Sequence, residues 1–108
     1  MIDCIALKNC ITQYTYWNDL SDSPLGVCWI RFAVGEDGGK VALLLNIMTV
    51  SFYRRKGVAS ELLKEVSKEA DVILTPQGSE EGGKELIKNF GFIYNADFNM
   101  WIFLRKEV

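Results

Sequence analysis

Arg54-Arg55-Lys56 is the chain's only run of three basic residues, and Gly57-Val58-Ala59-Ser60 follows it directly. The run lies between two segments of different periodicity. Upstream, Val41 to Val50 (VALLLNIMTV) is a nearly continuous apolar stretch that reads as a buried strand. Downstream, Val58, Leu62, Val66 and Ala70 recur at helical spacing on one face. A helix that starts at Gly57 points its unpaired N–H groups back toward the end of the strand. Those groups and the helix dipole favour an anion. Arg54, Arg55 and Lys56 add positive charge beside them, and a glycine lets backbone approach a phosphate with no Cβ in the way. The pattern predicts a phosphate seat made mainly of backbone. For the side chains of Arg54 and Lys56, a solvated basic loop is the plain alternative.

The elements that must hold this elbow can be read along the chain. Residues 2–17 are rich in Ile, Thr, Tyr and Trp and predict one or two strands. Asn18 to Pro24 is a polar turn. Gly26 to Val34 predicts a strand, and Gly35-Glu36-Asp37-Gly38-Gly39 closes a hairpin onto the strand from Lys40 to Val50. The first helix spans about 57–70, and Val72-Ile73-Leu74-Thr75 is a short strand. Ser79 is placed to cap a second helix with Glu80 and Glu81 in its first turn. Gly82 and Gly83 weaken that turn. Gly91 stands where a helix C-terminal glycine belongs, and two strands follow near 92–94 and 99–106. The sum is an α+β fold with a mixed sheet, expected as one domain over residues 1–108.

Composition narrows the chemistry. A net charge of −2 gives no electrostatic reason for a nucleic-acid or membrane partner, and three basic residues in an acidic chain are thin support for nucleic-acid contact. No apolar run approaches the roughly 20 residues that span a bilayer, and Met1-Ile2-Asp3-Cys4 does not open a secretory signal. Three cysteines without close pairing point to reduced thiols and a cytoplasmic setting. Histidine is absent. That removes His-based triads and His-ligated metal, and no metal is expected. A general base would be a carboxylate, tyrosine, cysteine, backbone or water.

Arg54-Arg55-Lys56-Gly57-Val58-Ala59 is similar to the Arg/Gln-x-x-Gly-x-Gly/Ala signature of the GNAT superfamily of N-acetyltransferases. The resemblance extends from about residue 40 to 105 and ends in Asn89-Phe90-Gly91-Phe92, similar to the family's Lys-x-Gly-Phe. It implies a GNAT-like mixed sheet with flanking helices and acetyl-CoA as co-substrate. By resemblance, the pyrophosphate rests on backbone N–H groups of Arg55, Gly57, Val58, Ala59 and Ser60, with Arg54 and Lys56 at the phosphates. The backbone of Met48 and Val50 would run along pantetheine, with the Val50 N–H near the thioester oxygen and both side chains in the core. The strand before the elbow would run parallel to the strand after the helix, splaying to admit pantetheine.

The chain departs from the family pattern on the acceptor side. Residues 8–25 are too short and too β-like for the helical pair that usually follows the first strand, so the acceptor site would be reduced, or completed by another subunit or the substrate. Ile87 stands at the position of the usual general-acid tyrosine, and Glu80 at that of an associated asparagine. Asn46 and Thr49 stand where a base-positioning glutamate is common. Tyr53, Tyr94, Cys28, Thr75 and Glu80 are the remaining protic groups. Asn46 and Tyr94 are the catalytic candidates beside the Val50 N–H. The aromatic stripe Phe92, Tyr94, Phe98, Trp101 and Phe103 reads as core, with an acceptor pocket or homodimer face as the alternative. The expected function is acetyl transfer to an amine, on a protein lysine or a small molecule, by direct attack in a ternary complex. The alternatives are a catalytically silent CoA-binding or protein-interaction module and, more weakly, a nucleic-acid-contacting accessory protein.

Overall fold

The computed structural model describes residues 1–20, 23–50, 57–76 and 81–105, with 81–85 as backbone alone. In chain order the elements are β1 (Ile2–Ala6), β2 (Ile11–Trp17), β3 (Pro24–Val34), β4 (Lys40–Thr49), α1 (Val58–Glu69), β5 (Val72–Thr75), α2 (Glu81–Phe90), β6 (Ile93–Asn95) and β7 (Met100–Leu104). One mixed sheet holds all seven strands in the order β1-β2-β3-β4-β5-β7-β6. The β-rich start of the chain resolves into two strands joined by a tight turn in which Asn9 and Cys10 take positive φ. No helical pair intervenes.

β1 to β4 form an antiparallel meander. The β3–β4 turn is built as its residue types dictate. The Gly35 N–H donates to the Gly39 carbonyl, Gly38 supplies a positive φ of 85°, and the Asp37 carboxylate accepts the Gly39 N–H. Alternation along β3 turns Gly26, Cys28 and Ile30 inward, all fully or largely buried. On β4 that alternation breaks once. Trp29 pairs with Asn46 and Ile30 with Leu44, so Leu45 is an extra residue in a β-bulge. Ala42 and Leu44 face the core before the bulge, and Ile47 faces it afterwards.

α1 forms because Val58, Leu62, Leu63 and Val66 give it a continuous apolar stripe, which it buries against β2, β3 and β4. Its last turn is held by Arg105, whose guanidinium donates to the carbonyls of Ser67 and Lys68 and pairs with Asp71. α2 ends as the sequence predicts. Gly91 has φ 115°, its N–H donates to the Lys88 carbonyl, and the Phe92 N–H reaches back to the Ile87 carbonyl. Phe90, Phe92 and Phe103 stack as a tilted trio with centroids 4.8–5.9 Å apart. Phe103 pairs with Ile73, and Ile73 with Ala42, so this trio lies on the same side of the sheet as α1. Both helices therefore pack on one face, where the core cluster sits.

Candidate functional site

β4 and β5 run parallel, but only over Val41–Leu43 against Val72–Leu74. Beyond Leu43, β4 continues through the bulge to Thr49 with no strand beside it on that edge among the described residues. The two strands thus part toward the C-terminal end of the sheet. The opening is a slot with one free strand edge, able to pair with an extended polar ligand through main-chain hydrogen bonds.

The groups that face this slot differ from those the sequence suggests. The Val50 N–H donates to the Leu25 carbonyl at 2.9 Å, inside the sheet. It is therefore engaged and cannot polarise a thioester oxygen, which corrects the expectation for Val50. In an antiparallel ladder, bonded and non-bonded pairs alternate. Val27↔Met48 lies two residues along from Leu25 and Val50 in the same register. Met48 therefore also turns its backbone toward β3. Ile47 and Thr49 turn theirs to the slot. The side chains of Met48 and Val50 are also not in the core: they are 56% and 48% exposed. The bulge at Leu45 causes this, since one inserted residue flips every later side chain to the other face. An unbroken apolar run such as Val41-Ala42-Leu43-Leu44-Leu45 hides a one-residue phase change, so no signal in the sequence marked it.

At the mouth of the slot, Gly57 is the N-cap of α1 with φ 86° and ψ 1°, the left-handed region that suits glycine, and no side chain caps the helix. The first helical bond is the Glu61 N–H to the Gly57 carbonyl, 2.9 Å. The N–H groups of Val58, Ala59 and Ser60 thus have no intrahelical partner and lie at the positive end of the dipole. A Cβ on Gly57 would meet nothing within 4 Å among the described residues. Arg54, Arg55 and Lys56, with Tyr53, Ser79 and Glu80, lie outside the described residues. α1 is seated by a glycine the sequence reading did not single out. A Cβ on Gly26 would fall 2.7 Å from Val58 Cγ1 and 3.1 Å from the Met48 carbonyl oxygen. A glycine inside a strand pattern is itself a signal of such close approach.

The protic candidates do not converge. Asn46 is exposed on β4 just past the bulge, with its Oδ1 accepting the Ile47 N–H at 2.9 Å. Tyr94 is on the edge strand β6, two strand spacings (about 10 Å) beyond β5, and its hydroxyl donates to Asn99 Oδ1. The structure does not bring Tyr94 to Asn46. Thr75 is buried. Cys28 is fully buried under α1, and burial pushes its thiol up to about 12. Tyr14, beside it, is also pushed up to about 12, first by burial and then by the negative charges of Cys4, Glu69, Cys28 and Glu65. Ile87 is 3% exposed, packed into the core.

Solved structures share this arrangement. One, a probable acetyltransferase, superposes with a TM-score of 0.71 at 18% identity, over 94% of this chain and 68% of its own. Arabidopsis thaliana NAA60 with a bisubstrate analogue gives 0.69 at 14% identity, over 91% and 76%. The NatC complex bound to Gag peptide and CoA gives 0.63 at 18% identity, over 87% and 71%. The fold is that of the GNAT acetyltransferases. No protein-family model matches the sequence, and no curated protein matches it closely enough to count as a relative. The GNAT architecture is therefore visible in the order and pairing of strands. Within it, this chain joins β1 to β2 through residues 7–10 alone, where the family carries two helices. No helix among the described residues is long and apolar enough to cross a membrane.

Proposed function

We propose that this chain binds acetyl-CoA and transfers the acetyl group to an amine by direct attack in a ternary complex. The observation that carries the reading is the parting of β4 from β5 in front of the uncapped start of α1. Pantetheine adds to the free edge of β4 through the backbone of Ile47 and Thr49, and the pyrophosphate rests on the N–H groups of Gly57, Val58, Ala59 and Ser60. Arg54, Arg55 and Lys56 supply positive charge beside this seat. The amine nitrogen attacks the thioester carbonyl carbon, the C–S bond breaks, and the amine's proton passes through water to solvent or to the departing thiolate. The Ile47 N–H is already taken by Asn46 Oδ1, so the Thr49 N–H is the slot-facing donor that polarises the carbonyl oxygen. Asn46 is the polar side chain nearest the bulge and orients the attacking amine or the water that carries its proton away. The acceptor, protein or small molecule, enters from the side where the family's helical pair is missing.

One observation favours a second reading, a CoA-binding module without turnover. Ile87 occupies the general-acid position as a buried aliphatic core residue. Calorimetric titration with acetyl-CoA tests binding, and thiol release with amine, peptide and protein acceptors tests transfer. Micromolar binding with acceptor-dependent thiol release supports the enzyme. Binding without release leaves the module, and absence of binding ends both.

A further inference from the structure

An antiparallel sheet with one face in water normally alternates apolar-in and polar-out. This sheet does not. On the face opposite α1 and α2, register places Ala33, Val41, Val72 and Leu104 in one row, and Arg31, Leu43, Leu74, Ile102 and Ile93 in the next. Toward the end where β4 and β5 part the face becomes mixed: one row holds Ile5, Gln13, Trp29 and Asn46, and the next Asp3, Thr15, Val27 and Met48. No described helix covers this face, and Ile5, Met48, Ile93 and Leu104 are more than half exposed. The indole N–H of Trp29 is taken by Gln13 at 3.0 Å and that of Trp17 by Asp3 at 2.9 Å. Both rings therefore present apolar surface.

We infer that a second copy of this chain covers this face, so that the protein is a face-to-face dimer. Two features favour a second copy over an unrelated partner. The first is charge. Among the residues in these rows, the ionisable ones are Asp3 and Arg31, one of each sign, so two copies meet without the repulsion implied by a net charge of −2. A two-fold contact requires such a self-compatible patch, whereas a partner chosen by charge would leave a one-signed patch. The second is area. Six strand spacings of about 4.8 Å and six residues of about 3.3 Å, from Val27 to Ala33, give roughly 600 Å² in projection. Side-chain relief raises the accessible area above that, toward the roughly 800 Å² that each partner gives to a stable interface.

Sedimentation velocity on the full chain without CoA tests this independently of any transfer activity. The expected species at micromolar concentration has twice the monomer's 12.2 kDa. Ile5→Lys with Leu104→Lys adds two charges at positions exposed in the monomer, so the fold is unharmed while the dimer dissociation constant rises by about tenfold or more. Trp emission, dominated by Trp17 and Trp29 on this face, shifts red on dilution of wild type but not of the variant. A monomer at every concentration, a dimer that ignores both lysines, or association only with another protein would each overturn the inference.

Discussion

Replacing Gly26 by alanine tests the seat of α1, on which the proposed anion site depends. The new Cβ would lie 2.7 Å from Val58 Cγ1, 3.1 Å from the Met48 carbonyl oxygen and 3.4 Å from Leu62 Cδ1. Val58 cannot move aside, because a β-branched side chain on a helix has one favoured rotamer and this one is buried. Either the first turn of α1 lifts or β3 bows. Overpacking of this kind costs about 1–3 kcal/mol. Alanine also restricts the unfolded chain, which returns about 0.4–1 kcal/mol, so a net loss near 1–2 kcal/mol is expected. For a domain of this size that is a fall in Tm of roughly 4–16 °C. Urea unfolding followed by circular dichroism should show a lower midpoint with an unchanged m value. The same change in a Val58→Ala background should be nearly free, since the atom it strikes is gone, giving a coupling of about 1 kcal/mol or more. A neutral Gly26→Ala, or an equal cost in both backgrounds, would refute the packing of α1 on β3.

Three further outcomes follow from the site and its surroundings. A polar thiol reagent at pH 8 should label Cys4 and Cys10, both exposed, and spare Cys28 until the protein unfolds; burial raises its thiol from 9.0 to about 12, which lowers the thiolate population about a thousandfold, and three fast thiols would contradict it. Cys28 and Tyr14 both have raised folded-state values, so their contribution to stability is complete below pH 9 and is lost as pH climbs toward 12; alkaline titration of unfolding should show that decline, and a flat profile would count against their burial. Gly57→Asn should keep most of the stability, because asparagine tolerates a positive φ, while Gly57→Val should lose about 1–3 kcal/mol; both should weaken acetyl-CoA binding in calorimetry, and undiminished affinity in either would remove the backbone phosphate seat.

The order of elements was legible in the sequence because each carries a strong local signal. Val58, Leu62 and Val66 mark α1 by period, Gly91 marks the end of α2, and Gly35 to Gly39 mark the hairpin. The parallel pairing of β4 with β5 came from the family resemblance, and the structure has it. Three things could not be read. The bulge at Leu45 is invisible in an all-apolar run, and it decides which backbone groups reach the slot. It turns the backbones of Met48 and Val50 toward β3 and leaves those of Ile47 and Thr49 facing the slot. The aromatic stripe was read as one unit, yet Phe103 and Trp101 face the helices while Phe98 is exposed at the β6–β7 turn. Period-2 alternation tells that residues alternate, not which face a second layer will cover.

The departures from the GNAT pattern in side chains and in helices fall on one side of the slot. The side proposed to bind the co-substrate consists of backbone: a strand edge free among the described residues, a left-handed glycine and three helix N–H groups with no intrahelical partner. Such a seat requires few particular side chains, which is consistent with a clear structural likeness at 14–18% identity. The acceptor side depends on side chains and on added helices. There, the helical pair is missing, Ile87 is buried as core, and Tyr94 is held by Asn99 two strands beyond β5. General acid–base assistance contributes about 10²- to 10⁴-fold, whereas positioning contributes about 7–11 kcal/mol. Under the function proposed above, a chain with the first seat intact and the second unfinished would bind its co-substrate alone, and its transfer rate would be set by whatever closes the open face of the sheet.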